Sequence, residues 1–281
     1  MGSLISDILS YLWQVVLTTV TQVFILLGPL LLLAYIMHLV AKKNEKLSYR
    51  VMGRKLYLYG FAWLGTSIHE LGHAFFAKIF RHKITDMALF TPNSEDGNLG
   101  HVNHSFNPMS TYQRIGNFFI GIGPILFGVI LLYFLSWLLF GFGFSKMAVY
   151  EIQADSFFSF SNFTGLFANT WDNIVIYLSL AFGPSSSFLK VLLLIYFLYA
   201  IGSSITLSPS DIKGSQGGFI YFVLALFIFN LFSSWIGDFM LWLLLDSFML
   251  FFSFYFLMIL SIIINLTFVG ILSIFAKVLN K

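Results

Sequence analysis

Residues 56–80 read LYLYGFAWLGTSIHELGHAFFAKIF. The run is long enough to cross a bilayer, which takes about 20 mostly apolar residues, yet it holds His69, Glu70 and His73. Ionisable groups at such a depth are costly and usually serve function. Residues four apart share a helix face, so His69 and His73 can present two imidazoles to one ion. Glu70 stands beside them as a general base for water, the zincin arrangement in which Zn2+ is the Lewis acid. In the plainer alternative the rings and the carboxylate hydrogen-bond other helices and bind nothing.

The rest of the chain agrees with a lipid environment. Of 281 residues 58% are hydrophobic and only 10% charged, against about 25% charged in an ordinary soluble domain. A soluble fold could not hide that much apolar surface. There is no cysteine, which excludes disulfides and thiolate ligands. The net charge of +3 is small and concentrated in one segment, so it speaks for membrane orientation and against nucleic acid. No cleavable signal peptide is evident, because the first apolar run is too long for one and lacks a basic leader.

Applied along the sequence, the length rule gives about six spans, near 12–40, 56–80, 115–140, 188–207, 218–236 and 248–276. The expected fold is an all-α polytopic membrane protein, a single membrane domain over 1–281. Gly28-Pro29 should kink the first span. Between the second and third spans, Pro92, Asn93, Gly97 and Gly100 mark a turn between two extended runs, Lys83–Phe90 and Gly100–Phe106, a short membrane-associated β element. Residues 141–187 read as a surface loop with an interfacial helix. Asp238 and Asp246 interrupt 237–247, which reads as a short interfacial helix or the start of a long last span. Lys42, Lys43, Lys46, Arg50, Arg54 and Lys55 make 41–55 a basic loop, cytoplasmic by the positive-inside rule, although the alternate loops are mildly positive as well.

A catalytic zinc needs three protein ligands and one open position. Two features compete for the third. One is Asp211, in LSPSDIKG (207–214); the other is Glu151, in the E-x-x-x-D run EIQAD (151–155). The third span leaves toward the far side, which would put Glu151 about 30 Å from His73. The fourth span returns and brings Asp211 to the same side, so Asp211 is preferred. Gly121, Gly123 and Pro124 open the third span, where small residues permit close helix approach and Pro frees a carbonyl. Gly123 and Pro124, with Asn117 nearby, are candidate substrate-binding residues, and packing alone is the alternative. His82, His101 and His104 read as solvated loop residues, and His38 as interfacial.

HELGHAFFAKIF in one span, GIGPILFGVI (121–130) opening the next, and an Asp at the end of the one after resemble the three-helix core of the site-2 proteases. The resemblance covers roughly 56–214 and points to a divergent, compact member. It implies a zinc endopeptidase, with His69, His73 and Asp211 as ligands and Glu70 as base. Its partner would be a membrane-protein or membrane-bound peptide substrate cut in or beside a transmembrane segment, and its setting a bacterial cytoplasmic membrane. The family's Asn-Pro and Leu-Asp-Gly elements are replaced here by Ser-Pro-Ser-Asp-Ile-Lys. In familiar members the site opens toward the cytoplasm, which would place 41–55 outside, against its charge. Two other functions remain open at this level: a glutamate-ligand zincin using Glu151 in an internal chamber, and a zinc-binding scaffold or transporter without hydrolysis. Oligomeric state is not encoded in any pattern found.

Overall fold

A chain in hydrocarbon must satisfy its backbone polar groups within each segment, and helices do this. The computed structural model describes residues 2–94, 97–148, 160–184, 186–233 and 239–279. Its elements are α1 (Gly2–Val51), α2 (Arg54–Tyr57), a π-helical turn (Leu58–Ala62), α3 (Trp63–Ile79), β1 (Lys83–Ala88), β2 (His101–Ser105), α4 (Thr111–Phe140), α5 (Phe160–Ala181), α6 (Phe188–Ala200), α7 (Pro209–Ser233) and α8 (Phe239–Val278). Among the described residues, four helical stretches are long and apolar enough to cross a membrane: Leu4–Val51, Thr111–Phe140, Pro209–Ser233 and Tyr255–Val278. With 17 and 13 residues, α3 and α6 are shorter than that limit.

The helical architecture and the small β element agree with the sequence reading; several boundaries differ. Helix α1 runs unbroken through Pro29 to Val51, so most of the basic 41–55 segment is helix, and the chain turns at Gly53 in a positive-φ conformation. Residues 160–181, expected in a surface connection, form the 22-residue helix α5. Residues 239–247 begin α8 itself, while Asp238 lies outside the described residues.

Helices α3 and α4 meet so closely that a Cβ at Gly72 would lie 2.7 Å from Pro124 Cα and 2.9 Å from Gly123 O. Polar side chains tie α1 to its neighbours. Asn230 of α7 donates to Thr19 Oγ1 (2.8 Å) and Gln22 Oε1 (2.7 Å). Asn44 donates to Asn265 of α8 at 2.9 Å. Such bonds are worth about 0.6 kcal/mol on average in membranes, so they fix orientation more than they add stability.

β1 and β2 pair antiparallel from Lys83↔Ser105 to Ala88↔His101, with a bulge between Ile84 and Asp86. The sequence suggested a short membrane-associated β element without fixing its course. The hairpin doubles back along α3. Phe90 and Leu99 pack on Tyr57, Leu58 and Ala62, and Arg54 Nη2 donates to Pro92 O at 3.0 Å. The π turn between α2 and α3 is stabilised from outside the helix, where the Tyr196 hydroxyl of α6 donates to Gly60 O at 3.0 Å.

Candidate metal centre

His69 and His73 lie one turn apart on α3, as their spacing requires. Asp211 comes from the first turn of α7. The segment Ser208-Pro209-Ser210-Asp211 folds as a capping box: Ser208 Oγ accepts from Asp211 N (3.2 Å) and Asp211 Oδ2 accepts from Ser208 N (2.8 Å). Pro209 supplies a pre-set φ at the first helical position. The helix start therefore aims the carboxylate at α3, and S-P-S-D carried that signal in the sequence.

Second contacts fix both imidazoles. His69 Nδ1 donates to Ser204 O (2.9 Å) and His73 Nδ1 to Ile120 O (2.8 Å); a carbonyl can only accept, so each neutral ring turns a bare Nε2 inward. The two Nε2 atoms lie 3.2 Å apart. Asp211 Oδ2 is 3.6 Å from His69 Nε2 and Oδ1 is 3.3 Å from His73 Nε2. Two lone pairs and a carboxylate facing one another repel unless a cation lies among them. A four-coordinate ion bound at about 2.0–2.1 Å has ligand–ligand edges of about 3.3 Å, close to all three separations. Among the described residues, His69, His73 and Asp211 form a group that can hold a metal ion. Glu151 and Asp155 lie outside the described residues.

Glu70 is buried beside this group, and β2 begins directly against it. A Cβ at Gly100 would be 2.8 Å from Glu70 Cγ and 2.9 Å from Leu89 O, so only glycine lets the strand approach. The three ligands and Glu70 open on a cavity of about 850 Å³. Its wall is mixed, with the polar side chains of Thr66, Asn98, Asn103, Asn117, Ser203 and Thr206 among the residues lining it. Helix α1 contributes His38, Lys42 and Glu45 to its lining.

Of the candidate substrate-binding residues, Asn117 lines the cavity. Gly123 and Pro124 are buried against Gly72 in the α3–α4 contact. His38, His101 and His104 line the cavity; His101 is also partly solvent-exposed and pairs with Asp86 at 2.7 Å, whereas His82, read as solvated, is buried. Their apparent loop setting hid them, because the doubling-back of the hairpin is a tertiary event. No protein-family model matches the chain, and neither a curated protein nor a solved structure shows significant similarity to it.

Proposed function

We propose that the chain is an intramembrane zinc endopeptidase of the site-2 protease type. It would act on membrane-protein substrates in or next to their transmembrane segments, from a bacterial cytoplasmic membrane. The observation that carries this reading is the convergence of His69 Nε2, His73 Nε2 and Asp211 on edges of tetrahedral size, with the Glu70 carboxylate adjacent. Nitrogen and oxygen donors in that geometry suit zinc. In the full reading α3 and α6 also cross, giving the six spans expected from sequence, with 56–214 as the catalytic core.

When bound, zinc supplies Lewis acidity toward the scissile carbonyl and lowers the pKa of water. Everything else falls to the protein. Ser204 O and Ile120 O hold the two rings in the tautomer that leaves Nε2 free. Glu70 takes a proton from the water whose oxygen adds to the carbonyl carbon. It then delivers that proton to the nitrogen as the C–N bond breaks. A helical carbonyl is already engaged in its own hydrogen bond, so the substrate must be extended at the cut. The edge of β2 away from β1 offers unpaired backbone groups beside Glu70, a template for strand addition.

Metal analysis and cleavage assays on detergent-purified protein test this. His69→Ala and Asp211→Ala should lose bound zinc. Glu70→Gln should keep the zinc and lose about 10²–10⁴-fold in cleavage of a membrane-tethered peptide. Full zinc in Asp211→Ala, or undiminished cleavage by Glu70→Gln, overturns the reading.

A further inference from the structure

A second pair of imidazoles stands at the cavity, outside the metal ligands. His82, in the turn after α3, is buried and stacks on Phe106 at 5.3 Å. Its Nε2 is 2.8 Å from Gln113 O, and its Nδ1 is 3.0 Å from His104 Nδ1. The carbonyl can only accept, so the His82 proton is on Nε2 and its Nδ1 is bare. His104 must then donate from Nδ1, which leaves its Nε2 bare too. Burial lowers the pKa of both rings, that of His104 to about 4, so each is neutral near pH 7. The chain Gln113–His82–His104 therefore fixes a tautomer at the cavity wall, with acceptor character and no proton to give.

Side chains stand perpendicular to a strand, alternating between its faces. His104 belongs to β2 and lines the cavity. A peptide lying along the free edge of β2 would pair its backbone with that edge. His104 would then meet the side chain of the residue directly opposite, as cross-strand neighbours do.

We infer that His104 is a specificity-determining residue whose Nε2 accepts a hydrogen bond from a hydroxyl- or amide-bearing side chain of an extended peptide substrate. The inference takes its ligand class from the peptidase reading, and the preference follows from the fixed tautomer. An apolar side chain at that position leaves the nitrogen without a donor in a partly desolvated place, and one hydrogen bond of this kind is worth about tenfold in affinity. The favoured substrate segment is then polar at one position near the cut.

The test uses full-length Glu70→Gln protein in detergent, so that bound peptide is not consumed. The probes are fluorescein-labelled peptides that carry Thr or Val, nearly equal in shape, at each successive position, read by fluorescence anisotropy. At one position Thr should bind about tenfold tighter than Val. His104→Asn, whose amide can still donate to His82 from the place of Nδ1, should erase that preference without loss of fold. His104→Gln, which puts an oxygen near the place of Nε2, should retain it. Spectra of ¹⁵N-histidine-labelled protein should show His104 protonated on Nδ1 and His82 on Nε2. No position with a Thr preference, a preference that survives His104→Asn, or the opposite tautomer of His104 overturns the inference. Discrimination by Glu70→Gln alongside a wild type that cleaves none of the peptides would instead overturn the peptidase reading alone.

Discussion

Gly72 sits where α3 and α4 meet backbone to backbone. The atoms a Cβ would meet there are backbone, Pro124 Cα and N and Gly123 O, so no side chain can swing away to make room. Gly72→Ala should push α4 off α3 and destabilise the protein by about 1–3 kcal/mol. It should also weaken metal retention at the His69–His73–Asp211 group, because His73 is held by Ile120 O of the displaced helix. Thermal unfolding in detergent and metal content measure the two effects, and an unchanged Tm would contradict the packing account. At this scale the sequence was informative where the signal is local. His69, Glu70 and His73 are fixed by helical periodicity alone, and Asp211 by its return to the same side. The partners that hold them, Ser204 O and Ile120 O, are backbone atoms with no residue signature. His82 and His104 sit in a polar segment that looks like any solvated loop.

The hairpin and α5 show what limits sequence reading of whole elements. The strand propensity and turn residues of 83–106 were plain, but the packing of Phe90 and Leu99 on Tyr57 and the π turn is decided by contacts distant in the chain. For α5, the polar residues of 141–187 suggested a surface loop with an interfacial helix, but not a helix of this length. Two amides of α5 are used internally: Asn173 donates to Asn169 Oδ1 (2.8 Å) and accepts from Ala148 N (2.9 Å). The hairpin also carries a pH dependence. Burial, then the neighbouring His82 charge, depresses His104, and burial depresses His82. Both rings bind protons more readily when released, where their pKa is about 6.5. Their contribution to docking is thus whole above about pH 6.5 and is lost as pH falls toward about 4. Amide protection factors over His101–Ser105, corrected for intrinsic exchange, should fall across that window. They should not fall when both histidines are replaced by Asn, and constant protection in the wild type would refute the coupling.

Across the molecule, length sets the disposition in the membrane. From Arg54 to Ile79 the chain rises about 40 Å at about 1.5 Å per residue, more than a hydrocarbon core of about 30 Å. If this stretch crosses as proposed, the Arg54–Pro92 bond puts the hairpin tip at the opposite face from Met109, which is 86% exposed. Because the chain has no cysteine, single-cysteine labelling reads this directly. Lys46→Cys and Asn93→Cys should react with an impermeant maleimide from one side, the cytoplasmic side by the positive-inside rule. Met109→Cys should react from the other. Asn93 labelling together with Met109 would show that the tip does not cross.

The π turn at Leu58–Ala62 bears on how such a molecule diverges. It accommodates one residue more than a regular turn, and each residue rotates a helix by about 100°. Losing that residue would spin Arg54 away from Pro92 while leaving the angular phase between His69 and His73 unchanged. The strap thus depends on the phase of this joint, whereas the spacing of the two imidazoles does not.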